Sequence, residues 1–323
     1  MTVAVTLLLG AVIVALTVPR LLRATAERAA DPVTVIVGWF LAIAGVLGTT
    51  VAGLLLTAFP HGAVDTPLAH LVRRPWWYAV ANAPDMLVYR IAGWVAPALL
   101  VLLLGRLAVV AVRELVRARR QVGRTLEVLR VLAEIDSCPA GGPPTLWLRS
   151  DRVAAFSYGG HGGAVVLTDG LRARMAEDGV AAVLAHERAH VRGRHHLLIA
   201  VAEVLARAFP AVRLLAEAPA ALREQVELAA DLSAVRHCGP DAVRNALMVL
   251  TGASTPERAL AMAREAVDVR LRRLAGAART PSATARVTRC GLLGTLLAAT
   301  PVLAASALLL SLSVLTAAAT ALT

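Results

Sequence analysis

The chain alternates between long apolar runs and one long polar segment. Apolar runs cover residues 3–18, 33–59 and 91–112, and a fourth follows Cys290 and continues to residue 323. A helix needs about 20 consecutive apolar residues to cross the hydrocarbon core of a bilayer. The pattern predicts four transmembrane helices, three before the polar segment at 113–289 and one at 290–323. Residues 19–32 are expected to form a short loop.

Helical and strand patterns both occur in the polar segment. Residues 113–135 continue the third span as a helical pattern, and the Pro- and Gly-rich residues 138–144 end it. Short β-like runs, separated by turn residues, follow at 145–149, 153–157 and 164–168. Longer helical stretches are predicted after them, at 177–192, 197–209 and 220–238. The last is placed there because Pro219 suits the first helical position and Gly239 the position after the last.

Residues 186–190 read H-E-R-A-H within an otherwise apolar helical stretch. On a helix, His186 and His190 project from the same face, so both imidazoles can reach one metal ion. Glu187 lies beside that line, where it can take a proton from water and pass it to a leaving group. Zinc suits this set because imidazole nitrogen is a preferred ligand. The alternative is a surface helix with two unrelated histidines, but ionisable groups on a mostly buried helix need partners.

A catalytic zinc site needs a third protein ligand. The candidates are Glu203, Glu217, Glu224 and Glu227. Glu227 and Asp231 stand at i and i+4 of the helix 220–238, so one carboxylate can bind the metal while the other accepts the N–H of a ligating histidine. A solvated acidic face is the alternative, and Glu224 is the fallback ligand. His195 and His196 follow a bend at Gly193 and are expected to have ordinary surface or interfacial roles.

Arginines are distributed unevenly along the chain. The 33 basic residues are all arginine, the formal net charge is +11, and all but six arginines lie between Arg106 and Arg289. The positive-inside rule places that segment in the cytoplasm and both termini outside. Arg106 itself is expected to reach from the third span toward the membrane interface. No helix-turn-helix, zinc-finger or RNA-binding signature accompanies the charge, so no direct nucleic-acid partner is expected.

The β-like runs before the metal helix suggest a substrate contact. An exposed edge strand through Ala155, Phe156 and Ser157 can hold an extended peptide by backbone hydrogen bonds. The alternative is a purely structural role for the sheet.

The stretch V-L-A-H-E-R-A-H-V-R-G-R-H, followed by E-L-A-A-D, resembles the gluzincin membrane metallopeptidases. That clan includes the CAAX prenyl-protein and heat-shock membrane proteases and the BlaR/MecR type of β-lactam sensor-transducer. The order of three spans, a cytoplasmic metallopeptidase segment and a fourth span is similar to the BlaR/MecR type in particular. The stretches A-F-S-Y-G and A-V-V-L-T-D-G-L resemble the edge-strand region of the same group.

The resemblance implies a mainly α membrane protein with an α+β, zincin-like domain that binds one Zn²⁺. The matching positions are the zinc histidines His186 and His190, the catalytic Glu187, the third ligand Glu227 and the histidine-orienting Asp231. Tyr158, His237 or an arginine could stabilise the oxyanion. BlaR/MecR sensors carry an extracellular penicillin-binding domain after the last span, whereas this chain ends with that span. We therefore expect a member without the sensor domain.

These patterns lead to an expected function. We expect a multi-pass cell-membrane zinc endopeptidase that hydrolyses peptide bonds on the cytoplasmic side, with the lipid bilayer and a cytoplasmic protein or peptide as its partners. By resemblance, the substrate is a transcriptional repressor. Two alternatives stay open: a quality-control protease for membrane proteins, and a signalling scaffold in which the metal is structural.

Overall fold

Three long apolar helices form the first part of the fold. The computed structural model describes residues 2–28, 31–58, 87–136, 143–159 and 163–254, with isolated positions between 288 and 311. Helices α1 (Thr2–Arg28), α2 (Pro32–Ala58) and α3 (Leu87–Leu132) each contain a stretch long and apolar enough to cross a membrane. The predicted fourth span at 290–323 lies largely outside the described residues.

Helix α1 is longer than the apolar run that predicts it. The expected loop at 19–32 is wrong, because the helix continues to Arg28 with Pro19 inside it. Val18 and Leu22, one turn apart, are 3% and 6% exposed and belong to a core shared with α2. This packing stabilises the helix across Pro19, where a backbone hydrogen bond is lost.

Helix α3 joins the predicted third span to the predicted helix 113–135. It ends at Leu132, and Ala133–Asp136 form strand β1, so the helix prediction is wrong for its last three residues. Strand β1 pairs antiparallel with the next strand, with Ala133 opposite Leu148 and Asp136 opposite Thr145. The physical reason is the sheet partner, which gives these backbone groups hydrogen bonds that the local pattern does not reveal.

A four-stranded sheet follows α3. Its further strands are β2 (Thr145–Leu148), β3 (Ala155–Tyr158) and β4 (Ala164–Thr168), and the spatial order is β1-β2-β4-β3. Strands β2 and β4 are parallel, and the other two pairs are antiparallel. All of β4 is buried, as expected for a central strand, whereas β3 lies at an edge and is half-buried. The three predicted β-like runs are confirmed, with small shifts at their ends.

Between the sheet and Ser254, the structure describes five helices. They are α4 (Asp169–Arg174), α5 (Glu177–Arg192), α6 (His195–Ala208), α7 (Arg213–Cys238) and α8 (Pro240–Ser254). Helix α5 has the predicted bounds. Helix α7 begins seven residues before the predicted start, with Pro219 in its interior. The prediction of Pro219 as the first helical residue is wrong because Leu214, Leu215 and Ala218 are buried against the apolar helices and hold the preceding turns.

Helix α7 belongs to both hydrophobic cores that matter for the site. In its first half, Leu222 and Val226 pack in the cluster that contains Trp39 of α2. In its second half, Ala234 packs in the cluster that contains Val165 of β4 and Val183 of α5. One rigid helix therefore connects the apolar helices to the sheet and to α5.

Arg106, in the third apolar stretch, has a partner within the protein. Its Nε donates a hydrogen bond to the carbonyl oxygen of Ala208, the last residue of α6. The last carbonyls of a helix have no partner within that helix, so the guanidinium stabilises this helix end. Next to it, Arg207 of α6 forms an ion pair with Glu114 of α3.

The core around α7 provides a test of the fold. Leu222 is fully buried, and Leu222→Ala should lower the free energy of unfolding by about 2–5 kcal/mol because it leaves a cavity. Leu197→Ala on α6 is the control, since that side chain is 49% exposed. It should change stability by no more than about 0.5 kcal/mol. Equal effects of the two substitutions in denaturant unfolding of the detergent-solubilised protein would contradict the packing of α7.

Candidate metal centre

One face of helix α5 is buried, and another face carries the candidate metal ligands His186 and His190. Gly179, Ala182 and Val183 are buried against the sheet and neighbouring helices. Acidic residues in the first turn and basic residues in the last turn match the helix dipole. The helix ends at Gly193, whose backbone N–H donates to the carbonyl oxygen of Ala189.

The structure brings His186, His190 and Glu227 together. The Nε2 atoms of the two histidines are 3.1 Å apart. The Glu227 carboxylate oxygens lie 3.6 Å from His186 Nε2 and 3.4 Å from His190 Nε2. Tetrahedral zinc with bonds of about 2.0–2.1 Å holds its ligand atoms about 3.3–3.4 Å apart. Each nitrogen thus lies near this separation from the other nitrogen and from one of the two Glu227 oxygens, and the donor types suit zinc.

Asp231 orients His186 from the other side of its ring. Its Oδ1 lies 2.9 Å from His186 Nδ1, and the residue is fully buried. A carboxylate at this position accepts the Nδ1–H, which leaves Nε2 free to bind a metal. Glu227 and Asp231 are one turn apart on α7, so a single helix supplies both the third ligand atom and the partner of a histidine.

Burial and charge set the proton affinity of His186. Burial alone would lower its pKa, but the Asp231 and Glu227 carboxylates outweigh burial and raise the pKa to about 9. Both carboxylates therefore favour positive charge at the centre of the cluster. A divalent cation satisfies the same requirement.

Glu187 lies beside the ligand atoms on α5. Burial raises the pKa of its carboxyl group, while a hydrogen bond from the Ser157 hydroxyl and the charge of His186 lower it. Ser157 belongs to the edge strand β3, so the predicted general base and the predicted substrate strand are in contact. Ala155 and Phe156 precede Ser157 on the same strand.

His195 is part of this cluster, and the prediction of a surface or interfacial role for it is wrong. It is 8% exposed, and its Nδ1 lies 3.0 Å from Nδ1 of His190. Burial and the neighbouring His190 lower its pKa to about 4, so it is neutral at neutral pH. The sequence pattern does not predict this contact because His195 lies beyond the end of α5. Helical periodicity on α5 therefore does not indicate where the His195 side chain points.

The other candidate ligands lie in ion pairs or at another site. Glu203 contacts Arg207 and Arg223, and Glu217 contacts Arg23 and Arg213. Glu224 lines a separate cavity of about 250 Å³ between α7 and the apolar helices. The geometry therefore favours Glu227 over the fallback ligand.

The two named oxyanion candidates lie in different surroundings. The Tyr158 ring, at the end of β3, packs edge-on against Phe156 with 5.4 Å between centroids. The structure does not bring His237 into the ligand cluster. Its side chain is exposed, and its Nδ1 lies 2.6 Å from the Ser233 carbonyl oxygen of its own helix.

Two adjacent helices that supply H-E-x-x-H and a further carboxylate define the HExxH class of metallopeptidase site. Comparison with known proteins agrees with this class: residues 121–263 match the family model "Peptidase family M48". The match covers less than half of the chain and lies mostly after the apolar helices, and the matched family is one of metalloproteases. No match was found among curated proteins or among solved structures.

The contact between Asp231 and His186 gives a second prediction. Asp231→Asn keeps the size of the side chain but removes its charge, so zinc affinity should fall by about 10- to 100-fold. Competition with a chelating zinc dye measures this affinity. Glu203→Gln, which removes a carboxylate from an ion pair outside the cluster, should leave it unchanged. An Asp231→Asn protein with wild-type zinc affinity would show that Asp231 does not orient a metal ligand.

Proposed function

We propose that the protein is a membrane-bound zinc endopeptidase that cleaves peptide bonds on the cytoplasmic side. The observation that carries this proposal is the convergence of His186, His190 and Glu227, whose ligand atoms all lie within 4.8 Å of one another. Among the described residues this metal-binding group has three members. Three protein ligands are typical of a catalytic zinc site, which keeps one position open, whereas a structural site has four.

Zinc bound there would supply a Lewis acid that polarises the peptide carbonyl and acidifies water. Glu187 accepts the proton of the attacking water at its carboxylate and later donates that proton to the nitrogen of the leaving amine. Its raised pKa suits both steps, since the group must bind and release a proton near neutral pH. The Ser157 hydroxyl holds the carboxylate in place beside β3.

Strand β3 and a neighbouring cavity support a peptide substrate. An extended peptide that pairs with the edge of β3 would pass Glu187, because Ser157 already contacts that residue. A cavity of about 300 Å³ lies next to the ligands. It is lined by His186, Glu187 and Glu227 and by apolar residues that include Ala234, Val243, Ala246, Leu247 and Leu250. An aliphatic or aromatic substrate side chain fits this lining.

The apolar helices and the arginines support the membrane location. Three of the described helices have the length and composition of spans, and α3 carries the exposed Arg113, Arg117, Arg119 and Arg120 after its most apolar stretch. The positive-inside rule then puts the metal centre in the cytoplasm and, with a fourth span at 290–323, both termini outside. The similarity to the BlaR/MecR type supports a repressor as the substrate, and its cleavage would release transcription.

Replacement of the general base tests the function. Glu187→Gln should keep zinc bound and lower the cleavage rate by about 100- to 10,000-fold, because the amide cannot take up the proton. Cleavage of a quenched-fluorescent peptide library by protein in detergent measures the rate. Glu177→Gln, on an exposed turn of the same helix, is the matched control and should cleave at the wild-type rate. If the Glu187→Gln protein cleaved at the wild-type rate, the proposed function would be wrong.

Filling the cavity tests the substrate preference. Ala246 is buried in the lining, and Ala246→Phe should lower kcat/KM for peptides with large apolar side chains more than for peptides with small ones. One missing or added methylene changes such discrimination by about 10- to 200-fold. Zinc content should stay at the wild-type level. An equal loss for all peptides would indicate that the cavity does not receive a substrate side chain.

A further inference from the structure

A buried histidine immediately after the metal helix contacts the second candidate zinc ligand. His195 is the first residue of α6, and its ring meets the ring of His190 edge-on at 4.8 Å between centroids. The two Nδ1 atoms are 3.0 Å apart. Buried polar groups require hydrogen-bond partners, and this contact gives His195 one.

The backbone between α5 and α6 is shaped to bring His195 back to the site. Arg194 has a φ of 49°, in the left-handed region that side-chain-bearing residues seldom adopt. Among the described residues it is the one non-glycine residue with a positive φ. Such conformations persist where surrounding structure fixes them, and they concentrate at functional sites. Here the left-handed residue directly precedes α6 and turns the next side chain toward His190.

Gly193 provides the space for that ring. A Cβ atom at this position would lie 2.4 Å from His195 Nε2 and 2.6 Å from His195 Cδ2. The backbone of Gly193 is in the ordinary right-handed region, with φ −74°, so its conformation does not require glycine. Glycine is required at this position because the His195 ring occupies the space of a Cβ atom.

The hydrogen-bond roles follow from the geometry. His190 Nε2 faces His186 and Glu227, so a metal there would use the Nε2 lone pair, and the proton would be on Nδ1. His190 Nδ1–H then donates to His195 Nδ1, which must be the unprotonated nitrogen of a neutral ring. His186 has the corresponding hydrogen bond, since its Nδ1 lies 2.9 Å from Asp231 Oδ1.

We propose that His195 is a positioning residue that fixes the tautomer and ring orientation of His190 for metal binding. The proposal rests on the proposed zinc site. Each zinc histidine then has its own partner: a charged carboxylate for His186 and a neutral imidazole for His190. The neutral partner orients His190 without adding a further negative charge to the cluster.

Two substitutions at His195 separate positioning from simple packing. His195→Leu fills similar space but has no acceptor, whereas His195→Asn keeps an acceptor oxygen at the position of Nδ1. His195→Leu should lower zinc affinity by about 10- to 100-fold and change the absorption bands of the Co²⁺-substituted protein. His195→Asn should restore affinity to within about threefold of wild type, together with the wild-type Co²⁺ spectrum. Both are measured on the full chain in detergent, with zinc affinity determined by chelator competition.

Two further variants serve as the matched control and as a safeguard against misfolding. His196→Leu removes the adjacent, exposed imidazole and should leave zinc affinity and the Co²⁺ spectrum unchanged. Gly193→Ala keeps His195 but displaces its ring, and it should weaken zinc binding as His195→Leu does. Wild-type affinity and spectrum in both His195→Leu and Gly193→Ala would overturn the positioning role. If wild-type protein itself bound neither Zn²⁺ nor Co²⁺, the proposal of a zinc site would be wrong, and not only the proposed role of His195.

Discussion

The close packing of α5 against α7 is the contact on which the site depends. Ala182 on α5 and Ala234 on α7 are almost fully buried in one cluster, and their small side chains let the two helices approach. The approach brings the Glu227 carboxylate within 3.6 Å of both histidine Nε2 atoms. The same approach places Asp231 behind His186. A larger side chain between the helices would separate the ligand atoms, whatever the identity of the ligands.

The cluster concentrates ionisable groups at a partly buried site. Asp231 is fully buried and Glu187 is partly buried. His186, His190 and His195 follow Asp231 in a chain of close contacts. Burying such groups without compensation costs several kcal/mol for each charge. Hydrogen bonds within the cluster offset part of this cost, and a divalent cation bound between three of the groups would offset more. Helix α7 also packs on α1 and α2, so the candidate membrane helices fix the position of the ligand-bearing helix.

Sequence patterns predicted the parts of the site that helical periodicity determines. The i, i+4 spacing gave His186 and His190 on one helix, and Glu227 and Asp231 on the other. Predictions from periodicity were wrong where tertiary packing determines the structure. The continuation of α1 through Pro19 and the early start of α7 depend on buried contacts with other helices. Strand β1 depends on its pairing with β2. His195 depends on a left-handed Arg194 that no local pattern signals.

Zinc K-edge X-ray absorption of the detergent-purified wild-type protein gives a direct view of the ion between α5 and α7. One zinc per chain is expected, with only nitrogen and oxygen neighbours at about 2.0–2.1 Å and a multiple-scattering signal from two imidazole rings. A sulfur neighbour at about 2.3 Å, a signal from a single imidazole, or a purified protein without zinc would contradict the convergence of these two helices on one zinc ion.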